Sequence, residues 1–426
     1  MRVLMVSANT EQINMPVLPL GMACVSAAVE SAGHDIRVVN LMEKQHVSRL
    51  LAPALDEFAP EVIGVSVRNI DDQNMGAPIF LLPRVKSVID ECRRRCKAPI
   101  VLGGPGYSIF PGSALKYLGA DFGIQGEGER AMIDFLERIE NNAPLDGLNG
   151  LWTPGKGLMA PVLHDQNLDD YPMPKPGVHL SVPPVENSRK IMVPFQTRRG
   201  CAMNCSYCST PAIEGRHLRC RLPEKAVENL QLFAQSGFKN FFFVDNTFNL
   251  PGSYAQDLCE RIVKADLKIS WQAIIYPVST GEKLIEKMAL AGCRSASIGF
   301  ESADDQVLSA MNKKYGRKEI RRLSELLCRH GITRMGFLMF GGPGETRQSV
   351  RQSIEFAESL ELETVKLTAG IRIYPSTPLA ETARHKGLIA PDATLLEPVF
   401  YLESGLDGWL QDTLRVAAAR NPGWKV

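Results

Sequence analysis

The sequence of 426 residues contains no stretch approaching eighteen uninterrupted apolar residues, so no membrane-spanning helix is expected. It also lacks an excess of either charge. Its 48 Lys and Arg stand against 47 Asp and Glu, a formal net charge of +1. That balance argues against a large basic surface for sequence-independent nucleic-acid binding. The P-loop pattern GxxxxGK[ST] is absent. The opening residues MRVLMVSANTEQINM carry one Arg and a short apolar run, without the apolar core or small-residue cleavage site of an export signal. The expectation is a cytoplasmic, reducing location. Ten cysteines are too few for a disulfide scaffold at this length. In a reducing compartment, clustered cysteines point instead to metal or catalysis.

What is present is strand–helix alternation in two blocks. Residues 1–145 hold β-rich runs at Val3–Val6, Ile36–Val39, Val62–Val67, Ile100–Leu102 and Phe122–Ile124, separated by amphipathic stretches. This spacing predicts an α/β domain with a doubly wound, Rossmann-like parallel sheet. Such sheets bind ligands beyond the carboxyl ends of their strands. Those ends carry Asn9, Arg68 and Asn69, the turn Gly103-Gly104-Pro105-Gly106-Tyr107 and the turn Gly126-Glu127-Gly128. The glycines either admit a bulky ligand close to the backbone or are ordinary strand-to-helix turns. Residues 146–188 are proline-rich, have no sustained period and read as a linker. Residues 189–385 return to alternation, with strands expected at 191–196, 240–244, 269–275, 295–299, 335–340 and 364–373. Six β/α repeats predict a (β/α)6 partial TIM barrel. Residues 386–426 form a short C-terminal segment with one helix around Gly408–Ala418.

Directly after the first strand of the second block stands Cys201-Ala-Met-Asn-Cys205-Ser-Tyr-Cys208, with CxxxCxxC spacing. Three thiolates in eight residues suit an iron–sulfur cluster or zinc. A structural zinc would need a fourth ligand, for which His217 and Cys220 are nearest. Cys92 and Cys96 are spaced i, i+4 on a basic helix without a third partner. Cys24, Cys259, Cys293 and Cys328 sit in apolar or helical contexts and read as packing residues.

The triad at the end of the first barrel strand, with Tyr207 before the third Cys, resembles the radical S-adenosylmethionine (SAM) superfamily. The resemblance implies a [4Fe–4S] cluster on Cys201, Cys205 and Cys208, with its open iron chelating SAM. It implies SAM contacts at Asp245, at Gly299, Glu301 and Ser302, and at Phe340 and Gly341. Tyr276 and Tyr374, at strand ends, are candidate catalytic residues lining the cavity.

The first block resembles the cobalamin-binding domain that precedes the barrel in a radical-SAM subfamily. The matching residues are Val17-Leu18-Pro19-Leu20-Gly21, GVSVRN, GGPGYSIFP and GIQGEGE. The resemblance implies cobalamin contacts at Asn9, Leu20, Arg68, Asn69, Gly103 to Tyr107, Gly126, Glu127 and Gly128. The DxHxxG motif that supplies a cobalt-ligating His is absent, so Arg68 or Asn69 is expected beneath the cobalt.

Together these features imply a cobalamin-dependent radical SAM methyltransferase. It would move a methyl group from methylcobalamin to an unactivated carbon by way of a 5′-deoxyadenosyl radical. The same architecture also serves radical oxidases, cyclases and rearrangement enzymes, and a non-catalytic zinc or Fe–S binding protein is the other alternative. The implied partners are a small-molecule or lipid-like substrate and an electron donor such as flavodoxin or ferredoxin. No nucleic acid is expected, and the chain is expected to be a monomer or weak dimer.

Overall fold

A computed structural model of the chain describes residues 1–10, 18–42, 47–180, 191–278 and 280–426. Val17 and the proline-rich residues 181–190 lie outside the described residues. The chain divides into two compact units. The first comprises Met1–Asp72, Ile79–Val193 and Ser209–Gly215; the second comprises Gln73–Pro78, Pro194–Cys208 and Arg216–Val426.

In the first unit β1 (Arg2–Ser7), α1 (Leu20–Ser31), β2 (Asp35–Asn40), α2 (Val47–Asp56), β3 (Val62–Ser66), α3 (Leu82–Arg95) and β4 (Ile100–Gly103) alternate. They are followed by α4 (Pro105–Ile109), α5 (Pro111–Leu118), β5 (Phe122–Ile124) and α6 (Gly128–Glu140). Strand β1 is buried along its length beyond Arg2, because it is central and covered on both faces. It pairs in parallel with both β2 and β3, and β4 and β5 continue the parallel set. The strand order therefore reverses between β1 and β3. Val3, Val62, Val101, Phe135 and Leu136 are among the core residues on one side of this sheet.

The proposed linker does not begin at residue 146. Strands β6 (Leu151–Thr153) and β7 (Gly157–Leu158) add antiparallel to β5, giving the order β2-β1-β3-β4-β5-β6-β7. Strands of three and two residues are too short to show a period of two, which is why the sequence conceals them.

The second unit is a parallel half-barrel. Its strands are β8 (Val193–Phe195), the small antiparallel pair β9 (Arg198–Arg199) and β10 (Arg219–Cys220), β11 (Asn240–Phe243), β12 (Ser270–Ile275), β13 (Cys293–Glu301), β14 (Thr333–Phe340) and β15 (Thr364–Ala369). A second antiparallel pair, β16 (Ile371–Arg372) and β17 (Phe400–Tyr401), and the terminal β18 (Trp424–Lys425) complete the set. The sheet order is β18-β15-β14-β13-β12-β11-β8. Helix α7 (Thr210–Glu214) counts with the first unit. Helices α8 (Pro223–Gln235), α9 (Gly252–Lys264), α10 (Glu282–Leu290), α11 (Asp305–Ala310), α12 (Arg317–Arg329), α13 (Arg347–Ser359), α14 (Pro378–His385) and α15 (Trp409–Arg420) follow.

Alternation along the strands sorts their side chains into two faces. On β14, Gly336, Leu338 and Phe340 are buried while Met335, Phe337 and Met339 are half-buried. The first set faces the helices. A Cβ on Gly336 would meet Leu362 and Phe300, and the Phe300 ring contacts Phe356 of α13. No helix of the described residues is long and apolar enough to cross a membrane.

Candidate functional site

The cysteine loop is held at both ends by buried polar chemistry. Asp245, at the end of β11 and fully buried, accepts hydrogen bonds from the backbone N–H groups of Thr197 (2.7 Å) and Arg198 (3.0 Å). It also accepts one from the Thr197 hydroxyl at 2.6 Å. The buried Arg198 guanidinium lies 3.3 Å from the same carboxylate and donates to the carbonyls of Phe248 (2.7 Å) and Leu250 (2.8 Å). Its planar face stacks on the rings of Phe248 and Tyr254. Gly200 then turns the chain at φ +88°; a Cβ there would fall 2.0 Å from the His217 carbonyl oxygen, so only glycine fits.

Beyond Gly200, Cys201, Cys205 and Cys208 are half-buried free thiols on a single loop. Asn204 occupies the left-handed region at φ 53°. The loop is fastened to the segment after α11. Ser206 N–H donates to Met311 O (3.1 Å), and the Asn312 amide donates to Asn204 O (2.7 Å). Leu379 N–H, at the start of α14, donates to Ser206 O at 2.9 Å. Among the described residues, no three His, Cys, Asp or Glu side chains are already drawn into a metal-holding group, the triad included. The assignment of the triad as a cluster site rests on donor chemistry and loop placement. His217 is exposed, and Cys220 lies in the β9–β10 ladder opposite Arg198.

One charged group unmarked in the sequence stands against this loop. Lys313 Nζ lies 2.7 Å from Glu301 Oε1, with both side chains buried. The Tyr207 hydroxyl donates to the same oxygen at 2.8 Å. The ammonium lies 5.1 Å from the Tyr207 ring centroid and 5.9 Å from that of Tyr315. Burial alone would lower the Lys313 pKa, but Glu301 and the surrounding groups raise it well above the ordinary lysine value. Burial raises the Cys205 thiol pKa, and Lys313 opposes that shift. Glu301 itself adopts φ 54°, where the pairing of β13 with β14 shifts register, and this turns its side chain toward Tyr207 and Lys313. Sequence reasoning missed Lys313 because the two lysines of MNKKYG carry no periodic or spacing signal.

Several expected SAM contacts are engaged elsewhere. Both Asp245 oxygens are taken by Thr197 and Arg198, so its place is an anchor for the loop. Ser302 is fully buried, 3.1 Å from the Ser353 hydroxyl, and accepts from Asp304 N–H. Phe340 lies on the helix-facing side, and Met339 is the neighbour on the other face. Gly299 stays beside the group: its carbonyl accepts from the Tyr315 hydroxyl at 2.6 Å. Gly341 opens the loop after β14. Its N–H bonds the Glu345 carboxylate, and Gly342 N–H reaches the same oxygen at 3.2 Å. The C-terminal segment backs this loop, since Glu403 N–H donates to Gly341 O and the Glu403 carboxylate accepts from Gly344 N–H. Tyr276 is buried against Tyr315, and its hydroxyl accepts from Lys314 N–H, which makes it a wall of the site. Tyr374 is half-buried beneath the Arg372 guanidinium.

In the first unit, the carboxyl ends of β1 and β3 frame a groove lined by Asn9, Thr10, Arg68, Asn69 and Arg84. This is the switch point of the sheet, where doubly wound folds take ligands. Burial lowers the Arg68 pKa. Leu20, the first residue of α1, is half-buried. The Gly-rich turns serve the fold itself. Gly104 has φ +96°, and a Cβ there would strike the Val67 backbone at 2.8 Å. Gly103 O accepts from Val67 N–H, Pro105 begins α4, and a Cβ on Gly106 would meet Arg68 O at 2.9 Å. Tyr107, expected as a cobalamin contact, is fully buried over Gly123 of β5, and its hydroxyl has no hydrogen-bond partner among the described residues. Gly126 and Gly128 face Val162 and Val25, and Glu127 lies 4.0 Å from His164.

Two family models match parts of the chain, and known proteins resemble it along most of its length. The B12 binding domain family matches residues 6–136, and the Radical SAM superfamily matches residues 196–357. An uncharacterized methyltransferase of Pyrococcus horikoshii is 26% identical over 98% of this chain and 91% of its own length. The tryptophan 2-C-methyltransferase of Streptomyces laurentii is 24% identical over 88% of this chain and 73% of its own. The structure of the radical SAM methyltransferase TsrM from Kitasatospora setae, with cobalamin and a [4Fe–4S] cluster bound, has the same fold. It superposes with a TM-score of 0.89 at 23% identity, covering 100% of this chain and 92% of that one. The two family matches follow one another in the order of the two units, a B12 binding domain at residues 6–136 ahead of a radical SAM domain at residues 196–357.

Proposed function

We propose that the protein is a cobalamin-dependent radical SAM enzyme that transfers a methyl group to carbon on a small-molecule substrate. The observation that carries this reading is the placement of the CxxxCxxC loop against the buried Tyr207–Glu301–Lys313 group, in a chain whose other unit is a B12 binding domain. Bound together, the cluster, SAM and cobalamin would supply one-electron reduction, a carbon radical and a methyl carrier.

The chain's own residues would hold and orient these groups. Cys201, Cys205 and Cys208 would hold the cluster through three thiolates. Glu301 and the Gly341–Gly342 loop lie at the ends of β13 and β14, where SAM would be oriented. Arg68 and Asn69 line the groove where cobalamin would rest. A guanidinium stays protonated and has no lone pair to offer a metal, so Arg68 would help to hold cobalamin in this groove without serving as a metal ligand. The tryptophan methyltransferase among the relatives, and a TsrM structure with tryptophan bound, favour a small substrate over a macromolecule. A cytoplasmic location, a flavodoxin- or ferredoxin-type donor and a monomeric or weakly dimeric state complete the proposal.

Anaerobic reconstitution tests it. The expected result is about four irons per chain, with a visible band, and retention of cobalamin through gel filtration. A preparation that takes up zinc alone, or that releases cobalamin, would favour a binding protein.

A further inference from the structure

Lys313 belongs to no motif, yet the chain buries its ammonium 5.1 Å from the ring centroid of Tyr207, which stands between Cys205 and Cys208 of the triad. Burying a charge is costly unless it is paired. Here a single oxygen, Glu301 Oε1, takes both the ammonium at 2.7 Å and the Tyr207 hydroxyl at 2.8 Å. The position of Lys313 does not depend on that ion pair alone. Its neighbours Met311 and Asn312 are hydrogen-bonded to Ser206 and Asn204 of the cysteine loop itself. The segment that carries the cation is therefore tied to the loop on either side of Cys205, by a backbone hydrogen bond at Ser206 and by the Asn312 side-chain amide at Asn204.

We propose that Lys313 is a positioning residue that sets the reduction potential of the iron–sulfur cluster on Cys201, Cys205 and Cys208, with Glu301 as its moderating counter-charge. This rests on the reading of the triad as a cluster site. The step concerned is the one-electron reduction of the cluster, with dithionite as the donor and no proton taken up or released. A fixed buried cation stabilises the added negative charge, and a fixed buried anion opposes it. Loss of Lys313 charge should make reduction harder, and loss of Glu301 charge should make it easier.

The test uses the full chain, reconstituted anaerobically without SAM, as wild type, Lys313→Met, Lys313→Arg and Glu301→Gln. Each is titrated with dithionite and followed by electron paramagnetic resonance. The midpoint of Lys313→Met is expected to move negative, that of Lys313→Arg to stay near wild type, and that of Glu301→Gln to move positive. Unchanged midpoints in Lys313→Met and Glu301→Gln would overturn the inference. If Lys313→Met holds no cluster, Glu301→Gln decides alone: a positive shift supports the inference, and no shift or a negative one overturns it. A wild-type chain that binds no iron is recognised at the iron assay before any titration, and it overturns the cluster reading together with this inference.

Discussion

The Asp245 carboxylate receives the Thr197 hydroxyl at 2.6 Å and the Arg198 backbone N–H at 3.0 Å, which locks the end of β11 to the strand that launches the cysteine loop. Both Asp245 and Arg198 are almost wholly out of solvent. Asp245→Ala would leave a buried guanidinium without its counter-charge. A destabilisation of roughly 3–5 kcal/mol is expected, read as a lower urea midpoint, together with reduced iron uptake. A midpoint equal to wild type would show that the carboxylate does not anchor the loop.

The triad and the remaining cysteines should separate in a substitution series. Cys201→Ala, Cys205→Ala and Cys208→Ala are each expected to lose most iron and the visible absorption. Cys220→Ala and Cys328→Ala should keep both. Cys328 proves exposed and does not pack in the core as expected from its helical context. Loss of iron in Cys220→Ala at unchanged stability would add that residue to the site.

Glu345 gives a pH signature. Burial raises its pKa from 4.5 to about 7, against the lowering effect of the Gly341 and Gly342 N–H groups. An acid whose folded-state pKa is raised binds its proton more tightly in the folded chain. Stability attributable to it is present below the unfolded pKa and is lost as pH rises from about 4.5 to about 7. Glu345→Gln, uncharged at all pH, should flatten that part of the profile and raise the thermal midpoint at pH 8 relative to wild type. Parallel profiles for wild type and variant would contradict the assignment.

Tyr107 offers a test of what the Gly-rich turn is for. Its buried hydroxyl has no partner among the described residues, and leaving such a group unsatisfied costs about 1–3 kcal/mol. Tyr107→Phe is expected to match or exceed wild-type stability and to retain cobalamin. Gly123→Ala should destabilise the chain, because the added Cβ would fall 1.9 Å from the Tyr107 hydroxyl oxygen. Loss of cobalamin in Tyr107→Phe at full stability would restore the residue as a ligand contact.

Residues with strong local signals were legible from sequence. The parallel strands of both units are marked by β-rich runs, and those runs also place the cysteine loop after the first barrel strand and Glu301 at a strand end. What escaped notice depends on long-range contact. Lys313 reaches Glu301 across 12 positions and Tyr207 across a far longer span, and no periodicity reports either contact. Asp245 and Ser302 were placed at the correct strand ends, but alternation cannot say whether a strand-end side chain points to a ligand or back into the fold. Tyr107 and the glycines around it illustrate the same limit, since close backbone approach looks alike whether the neighbour is a ligand or strand β3.

The central claim is methyl transfer from SAM by way of cobalamin, and the fate of SAM tests it most directly. The reconstituted, cobalamin-loaded protein is incubated anaerobically with SAM labelled in its methyl group, and the products are resolved by mass spectrometry. The account predicts S-adenosylhomocysteine, with the label first on cobalamin and then on carbon of an added small-molecule substrate. A mixture containing 5′-deoxyadenosine but no S-adenosylhomocysteine would contradict it.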